Sequence, residues 1–239
     1  MPTKPSPLLC ELHAHTTWSD GMLTLPELVD AYGRHGFDVL CVTDHVVRSD
    51  DPLETSVDER AWPAYIHELE REAERAERTY GLLVVPGLEL TDNREDPDRS
   101  AHALAIGVDS HIGVEDGIVD SIGAARAGGA AIVAAHPYTD DDATHRPTRR
   151  LARERDVFRP LVDRWELFNR DELFSWVAEA RLPAVATGDA HRLEHVGTWK
   201  TLLACERRRE EVVEFLRSPA RAYLMPYSVE VPAQGRAAA

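Results

Sequence analysis

The chain contains 239 residues, of which 43% are hydrophobic and 29% are charged, with 27 Lys or Arg against 42 Asp or Glu side chains. This length and composition suit one large globular domain with a full core, and they exclude a collagen-like, low-complexity or wholly disordered chain. The net charge of −15 argues against long duplex nucleic acid as a partner, because a strongly acidic protein repels a polyanion.

Strand-like apolar runs alternate with helix-like segments along the chain, which predicts an α/β domain with a parallel sheet. The predicted strands span 8–14, 38–43, 82–90, 101–108, 130–135, 164–168 and 183–187, with a weaker one at 199–205. The first predicted helix starts at a Thr24–Glu27 capping box and closes at Gly33 and Gly36, and three others span 62–80, 115–128 and 171–181. About seven β-α units in this length fit a small closed barrel better than an open sheet.

Histidines and carboxylates follow the predicted strands at the points where the strands end. In a parallel barrel these ends share one face, and that face carries the active site. The residues placed there are His13 and His15 after the first strand, Asp44 and His45 after the second, Glu89 at the end of the third, His136 after 130–135, and Asp189 and His191 after 183–187.

His13 with His15 and Asp189 with His191 are each two residues apart, and residues at this spacing point the same way on an extended strand. Each pair can therefore direct two ligands at one point, and imidazole together with carboxylate suits zinc, manganese or iron. The full set of candidate ligands is His13, His15, Asp20, His45, Glu89, His102, His136, Asp189 and His191. Nine ligands are too many for one ion and suit a cluster of two or three, which clamps a phosphoryl group and supplies a nucleophilic hydroxide at neutral pH.

His102 differs from the other candidates, because it stands at the beginning of the strand predicted over 101–108 and not at its end. It reaches the shared face only if this strand is antiparallel to its neighbours or displaced. The residues alone leave its place in the cluster open.

Six motifs, in this order, resemble the PHP (polymerase and histidinol phosphatase) superfamily. They are HAHTTWSDG at 13–21, TDH at 43–45, PGLE at 86–89, HALAIG at 102–107, AHP at 135–137 and GDAH at 188–191, and together they span about three quarters of the chain. The resemblance implies a distorted, TIM-like (β/α)7 barrel, which agrees with the strand count. It also implies a stand-alone metal-dependent phosphoric ester hydrolase.

In the scheme that the resemblance implies, the site is trinuclear. His13, His15, Glu89 and Asp189 hold the first ion, Glu89 bridges to a second that His102 and His136 also bind, and Asp20, His45 and His191 hold a third. The family uses either His or Asp at position 20, and the oxygen ligand Asp20 favours manganese or iron over zinc or weakens the occupancy of that position. We therefore expect two or three divalent ions, with their identity open.

A mechanism follows from this scheme. A hydroxide held between two ions attacks the phosphorus of an ester, and the ions neutralise charge in the transition state. His45, His191 or a water on the third ion gives a proton to the leaving oxygen, while Asp44 orients a neighbouring group.

Three residues near these motifs are candidates for substrate contacts. Arg48 and Arg192 follow TDH and GDAH closely, and guanidinium groups bind phosphate through two parallel hydrogen bonds, while His195 lies shortly after the last motif. The longer segments 46–61 and 138–160 either cover the mouth of the barrel as substrate-selecting loops or remain solvated.

The preferred substrate is a small phosphomonoester or a nucleotide, and several alternatives remain open. The protein could be a 5′-3′ exonuclease on short single-stranded nucleic acid, or a histidinol phosphatase. It could hydrolyse an amide or a lactone on a similar metal-bearing barrel, or be a non-catalytic metal-binding regulatory domain. Loss of activity on every phosphate ester, with metals bound, favours the last two.

No stretch of the sequence approaches 18 consecutive apolar residues, and no apolar segment precedes Leu8, so we expect neither a membrane partner nor a secretion signal. The three cysteines are too few and too scattered for a disulfide framework. We therefore expect a cytoplasmic protein with a single domain over 1–230 and a mobile tail over 231–239. The oligomeric state is open.

Overall fold

The structure is a computed structural model that describes residues 6–53, 55–139 and 148–229. The tail expected over 231–239, and the part of the 138–160 segment between 140 and 147, lie outside these ranges. Within them, no helix is both long and apolar enough to cross a bilayer.

The strands of the described ranges form one curled sheet. They are β1 (Leu8–Glu11), β2 (Val39–Val42), β3 (His45–Val47), β4 (Leu83–Asp92), β5 (Ala101–Ile106), β6 (Ala131–Ala134), β7 (Arg164–Asn169), β8 (Glu172–Leu173), β9 (Ala184–Thr187), β10 (Trp199–Leu203) and β11 (Tyr223–Pro226). Their order is β11-β10-β1-β2-β4-β5-β6-β7-β8, with β3 paired to β4 and β9 paired to β7. All eight predicted strands are present, and the short β3, β8 and β11 were not predicted.

The sheet curls until β9 returns alongside β1, where Ala14 and Ala190 form a single parallel bridge. The pairs β1–β2, β2–β4, β6–β7 and β7–β9 are parallel. Strand β5 is antiparallel to both β4 and β6. Strand β10 is also antiparallel to β1, and β8 to β7. This arrangement matches the expected distorted (β/α)7 barrel, in which β5, β8 and β10 run against the parallel strands.

Seven α-helices lie in the described ranges: α1 (Leu25–Arg34), α2 (Trp62–Tyr80), α3 (Ile118–Ala127), α4 (Arg150–Arg153), α5 (Arg155–Phe158), α6 (Ser175–Glu179) and α7 (Arg209–Arg217). At the start of α1, the backbone N and Oγ1 of Thr24 both donate to the carboxylate of Glu27, as the sequence predicts. The helix predicted over 171–181 is shorter than expected, because Glu172–Leu173 instead pairs with β7. Helices α4, α5 and α7 were not predicted.

Two hydrophobic clusters lie on opposite faces of the sheet. One contains alternate residues of the strands, such as Cys10, Cys41 and Val133, and it packs against Val212 and Leu216 of α7. The other packs the opposite strand faces against the apolar sides of α1, α2 and α3. Burial on both faces is what makes the strands read as continuous apolar runs in the sequence.

Candidate metal centre

The HAH and DAH motifs lie side by side at the point where the barrel closes. Around the Ala14–Ala190 bridge, the backbone N of His15 donates to the oxygen of Ala190 at 2.9 Å, and the N of Ala190 donates to the oxygen of His13 at 3.0 Å. Because residues two apart on paired extended segments share a face, the two histidines and Asp189 converge. The two predicted pairs, His13 with His15 and Asp189 with His191, therefore lie side by side on neighbouring segments.

The remaining candidates reach the same region from neighbouring strands. His45 on β3 stands in register with Glu89 on β4. His102 begins β5, and because this strand is antiparallel, its first residues lie next to the end of β4, with His102 opposite Thr91. The strand of His102 is thus antiparallel, which is what the sequence requires for this side chain to reach the shared face.

Two of the candidate ligands have an uncommon backbone conformation. The φ angles of His136 and Asp189 are 29° and 41°, in the left-handed region where few non-glycine residues occur. Such a conformation costs of order 1–3 kcal/mol and persists only where the surroundings hold it. The chain turns sharply at the ends of β6 and β9, and this turn redirects both side chains.

Four ligand atoms form a compact group in the interior. The Oε2 atom of Glu89 is 3.3 Å from Nε2 of His13 and 3.3 Å from Nε2 of His15. The Oδ1 atom of Asp189 is 3.6 Å and 3.5 Å from the same two nitrogens. Four ligands placed tetrahedrally about 2.0–2.2 Å from one ion would stand roughly 3.3–3.6 Å apart. The distances from the two carboxylate oxygens to the two histidine nitrogens therefore match this spacing.

The second oxygen of Glu89 faces another pair of histidines. Its Oε1 atom is 3.0 Å from Nδ1 of His102 and 3.0 Å from Nε2 of His136. Thr148 donates its hydroxyl proton to the backbone oxygen of His136 and is 3.1 Å from Nδ1 of the same ring, so its hydroxyl oxygen is placed to accept a hydrogen bond from Nδ1. The other ring nitrogen of His102 lies 2.9 Å from Oδ1 of Asn93. Glu89 thus stands between two groups of histidines.

A third group surrounds Asp20 at the more exposed edge. Its Oδ1 atom is 3.4 Å from Nε2 of His45 and 3.1 Å from Nε2 of His191, and His15 is 3.9 Å away. Burial raises the pKa of Asp20, but the hydrogen bond from His191 and the charge of His45 outweigh it and lower the pKa to about 2. Burial lowers the pKa of His191, but hydrogen bonds to Asp189 and Asp20 raise it to about 10.

Ionised carboxylates dominate the electrostatics of the interior. Burial raises the pKa of Glu89, but the charges of His45 and His13 hold it well below its usual range. The charge of His13 does the same for Asp189 against the effect of burial. Burial and the charge of His45 lower the pKa of His15 to about 3. Negative carboxylates beside a neutral imidazole favour the binding of a cation.

One direct observation indicates that these residues fit a metal cluster. Nε2 of His13, Nε2 of His15 and Oε2 of Glu89 are buried and form no hydrogen bond with any other described residue, although Oε2 also lies 3.0 Å from Nδ1 of His45. Buried polar atoms are rarely left in this condition unless an ion or water serves them. The candidate ligands form three groups, and within each group the ligand atoms lie within 4.8 Å of one another. The groups are His15, Asp20, His45 and His191; His13, Glu89 and His136; and His13, His15 and Asp189. His102 is in none of the three.

The carboxylate of Asp44 contacts the loop that carries Asp20, while its backbone oxygen accepts a hydrogen bond from the backbone N of Glu89 at 3.1 Å. Its carboxylate accepts hydrogen bonds from the backbone N and Oγ1 of Thr16, at 2.7 and 2.9 Å, and from Oγ of Ser19 at 2.6 Å. Ser19 in turn lies 3.4 Å from Nδ1 of His15. Asp44 therefore holds the segment after β1 in place and reaches His15 only through Ser19.

The three predicted substrate residues lie around the edge of this region. Arg48 is engaged by Asp50 through two hydrogen bonds of 2.7 and 2.6 Å. Arg192 is mostly exposed, and its Nε is 3.0 Å from Nε2 of His195. His195 is buried and lies 3.1 Å from the backbone N of His191. Burial and the charges of Arg170 and Arg192 lower its pKa to about 4.

Sequence reasoning missed Arg170, whose guanidinium is nearer to the candidate ligands than either predicted arginine. Its Nη2 atom is 3.1 Å from Oδ2 of Asp189 and 3.2 Å from Nδ1 of His191. It follows β7 directly, in the left-handed region at φ 53°. Its position directly after a strand end was a usable signal, because the predicted histidine and carboxylate ligands also follow strand ends.

Two buried glutamates beneath the ligands were also missed. Glu166 on β7 contacts His13, and Glu11 on β1 forms an ion pair with Lys200 on β10. Both glutamates sit inside strands, where the sequence shows a charge in an apolar run but not the partner it meets.

Parts of both proposed covering segments border the site. A cavity of about 360 Å³ is lined by Asp20, His45 and His102 together with 51–53. A second, of about 690 Å³, shares Asp51, Pro52 and Asn93 with it. Thr148 from the other segment contacts His136, as described above. The function of either segment as a lid stays a prediction.

Comparisons with known proteins agree with this architecture. The PHP domain family model matches residues 11–159. No curated protein matches the chain. Asp189 and His191 lie beyond the matched span, and the fold brings them to the matched histidines.

Several solved structures share the fold at low sequence identity. A two-domain protein from Bacteroides vulgatus, containing a predicted PHP-like metal-dependent phosphoesterase, is 20% identical with a TM-score of 0.66. The alignment covers 93% of this chain and 65% of that one, so the chain spans less than two thirds of its length. PsfC from Pseudomonas syringae PB-5123 is 16% identical with a TM-score of 0.60, and 92% of each chain is covered.

An amidohydrolase from Chromobacterium violaceum, solved with bound sulfate and no metal, is 14% identical with a TM-score of 0.53. Here the alignment covers 76% of this chain and 87% of that one. At such identities, these likenesses establish the fold alone.

Proposed function

The chain belongs to the PHP domain family, and from that premise we propose that it is a metal-dependent phosphoesterase that hydrolyses a small phosphate ester. The observation that carries the proposal is the convergence of buried ligand atoms without hydrogen-bond partners: Nε2 of His13, Nε2 of His15 and Oε2 of Glu89. Two or three divalent ions of manganese, zinc or iron are the proposed cofactors. When bound, they would polarise the phosphoryl oxygens and lower the pKa of an attacking water.

The residues of the chain divide the proposed site into adjacent positions. Oε2 of Glu89 faces His13, His15 and Nδ1 of His45, and Oε1 faces His102 and His136, so the two oxygens would serve different ions. Asp20 supplies the carboxylate of the group with His45 and His191. This division supports the trinuclear scheme. His102 is the one candidate ligand that belongs to none of the three groups of ligand atoms.

In the form of the site that holds no ion at Asp20, His45 and His191 are the proposed donors of a proton to the leaving oxygen, because a ring nitrogen bound to metal has no proton to give. Both contact the carboxylate of Asp20, and their side chains are 10% and 20% exposed, whereas His13 and His15 are fully buried. A group that gives a proton to substrate has to be reachable from the mouth. This favours His45 and His191 over the interior histidines.

For the phosphate group, Arg170 is a better-placed ligand than Arg48. Arg170 is 30% exposed and hydrogen-bonds Asp189, a candidate ligand, whereas Arg48 hydrogen-bonds Asp50, which is not one. A guanidinium beside the reacting group can bind the phosphate oxygens and stabilise the charge that develops on them. The cavity of about 360 Å³ beside Asp20 and His45 suits a small substrate better than a long strand.

The proposal is tested by assaying phosphate release from a panel of substrates. The panel contains sugar phosphates, histidinol phosphate, 5′- and 3′-mononucleotides and short oligonucleotides, each with manganese, zinc or iron. Asp189→Asn, which keeps the shape of the side chain but removes its charge, is the matched control. Metal-dependent turnover that the control loses supports the proposal and identifies the substrate class.

Two other results have different meanings. Preferential release of mononucleotides from oligonucleotide ends would favour the exonuclease alternative. Silence across the panel, with ions bound to the wild-type chain, would refute the phosphoesterase and favour amide hydrolysis or a regulatory domain.

A further inference from the structure

Glu166 is a fully buried carboxylate that contacts two of the candidate metal ligands from behind. Its Oε1 atom lies 2.9 Å from Nδ1 of His13 and accepts a hydrogen bond from Oγ1 of Thr187 at 2.7 Å. Its Oε2 atom accepts hydrogen bonds from the backbone N of His136 at 2.6 Å and from Nδ2 of Asn169 at 2.9 Å. Each oxygen therefore has two partners.

The position of Glu166 decides which nitrogen of His13 carries a proton. An ionised carboxylate only accepts hydrogen bonds, so the ring must present N–H at Nδ1. In the neutral ring, Nε2 then has a free lone pair, and it is this atom that lies 3.3 Å from Glu89 and 3.6 Å from Asp189. A metal ion binds a histidine nitrogen only through such a lone pair.

We propose that Glu166 is a positioning residue that holds His13 in the Nδ1–H tautomer and keeps Nε2 available for a metal ion. The inference rests on the metal site of the proposed function but not on its substrate. It adds a residue that lies on β7 and that none of the six sequence motifs contains.

The same carboxylate supports His136 through its backbone. His136 adopts a φ of 29°, and its N–H, at the end of β6, points at Oε2 of Glu166. A buried N–H without an acceptor would add its own cost to that of the uncommon conformation. Glu166 therefore links the ends of β1 and β6 and holds one ligand by its ring and another by its main chain.

The isosteric variant Glu166→Gln separates this function from simple packing. The Oε2 position faces the backbone N–H of His136, which can only donate, so the amide oxygen of a glutamine should take that position. The amide NH2 would then face Nδ1 of His13 and Oγ1 of Thr187. His13 can accept this hydrogen bond only by moving its proton to Nε2, where it blocks the metal.

The first measurement is the two-bond 1H–15N NMR spectrum of the histidine rings in metal-free protein. Burial lowers the pKa of His13, but the charges of Asp189, Glu89 and Glu166 raise it well above its usual value, so the spectrum is recorded above this titration. Wild-type His13, assigned by its loss in His13→Gln, should show the Nδ1–H pattern. Glu166→Gln should show Nε2–H.

The second measurement is Zn²⁺ affinity by competition with a chromophoric chelator. Loss of an outer partner of a metal-binding histidine typically weakens metal affinity about 10–100-fold, and we expect this for Glu166→Gln. Thr187→Val is the matched control, because it removes another hydrogen bond to the same Oε1 atom and leaves the acceptor that faces His13 unchanged. The control should keep the wild-type tautomer and an affinity close to wild type.

An Nε2–H signal for His13 in the wild-type protein would overturn the inference, and this result does not depend on any Glu166 variant folding. A Glu166→Gln protein that keeps the Nδ1–H tautomer and the affinity of the control would overturn it as well. Neither measurement uses a substrate. A protein that hydrolyses no phosphate ester could therefore still confirm or refute the function of Glu166.

Discussion

Nε2 of His13 and Oε2 of Glu89 lie 3.3 Å apart, and neither atom forms a hydrogen bond with another residue in the described part of the chain. His15 repeats this relationship, with its Nε2 also 3.3 Å from Oε2 of Glu89. Buried polar groups that lack partners cost about 1–3 kcal/mol each. A cation between these atoms would offset that cost, so metal binding and folding stability should be coupled.

Removal of metal should therefore lower the melting temperature. A ligand that binds only the folded state and is present at 1,000 times its Kd stabilises by about 4 kcal/mol. The measurement is thermal unfolding of protein loaded with Mn²⁺ or Zn²⁺ against protein stripped with chelator and dialysed. Asp189→Asn, which removes one charged ligand, should show a smaller difference. Equal melting temperatures for loaded and stripped wild-type protein would contradict the expectation.

Asp20 should control one ion and not the whole cluster. It is the only carboxylate in the group with His15, His45 and His191, and its side chain is 37% exposed, unlike the buried Glu89. Asp20→Ala should lower the metal content, measured by mass spectrometry of the desalted protein, by about one ion per chain. Asp20→His, which keeps a ligand at this position, should retain the ion. An unchanged metal content in Asp20→Ala would show that this group binds no ion.

The strand ends and the ligand spacing were predictable from the sequence, because both follow from local geometry. The i, i+2 spacing of His13 with His15 fixes a shared face on any extended segment, whatever the rest of the chain does. The place of His102 at the start of a strand likewise predicts either reversal or displacement, and the structure has β5 antiparallel to both neighbours. Chemistry and backbone periodicity were sufficient for these features.

The residues behind the ligands were not predictable in this way. Glu166 contacts His13 across 153 positions of sequence, and Lys200 contacts Glu11 across a still longer separation. A charge inside an apolar strand shows that something pairs with it, since buried charges are rarely left alone. The partner depends on strand order and register, which local patterns do not specify.

Arg170 and Arg48 should differ in their effect on phosphate ester hydrolysis. Arg170→Gln removes a guanidinium that lies against Asp189 and His191, and the loss of a charge-assisted contact of about 1.5–3 kcal/mol should lower kcat/KM roughly 10- to 100-fold. Arg48→Gln removes a guanidinium whose hydrogen bonds go to Asp50 and not to a candidate ligand, so its effect should be small. Steady-state kinetics on the substrate found in the panel measures both.

Metal content has to accompany these kinetics, because Arg170 also contacts a candidate ligand. An Arg170→Gln protein with the wild-type number of ions and reduced kcat/KM supports a direct contact with phosphate. If Arg48→Gln shows the larger loss, the substrate lies nearer the 690 Å³ cavity that Arg48 lines, and the assignment of Arg170 is wrong.

Removing one partner of the buried ion pair between Glu11 and Lys200 should destabilise the fold strongly, whereas replacing both partners together should cost much less. Nζ of Lys200 lies 2.6 Å from Oε2 of Glu11, and both side chains are fully buried. Oε1 of Glu11 accepts hydrogen bonds from the backbone N of His13 and of Gly188, next to the two ligand motifs. A Cβ atom at Gly188 would clash with the side chains of Glu11 and Lys200, so a side chain there has no space.

Lys200→Met leaves the carboxylate of Glu11 buried without its counter-ion and should cost about 3–5 kcal/mol of unfolding free energy, measured by urea denaturation. Glu11→Gln in the same chain removes the unpaired charge and keeps an oxygen for the backbone N–H groups of His13 and Gly188, so the double variant should recover much of the loss. Additive losses in the double variant would mean that the two charges do not stabilise each other. Recovery would show that the charge of Lys200 serves mainly to compensate the charge of Glu11. The oxygen at Oε1 would then be sufficient to hold the backbone N–H groups of His13 and Gly188 without the ion pair.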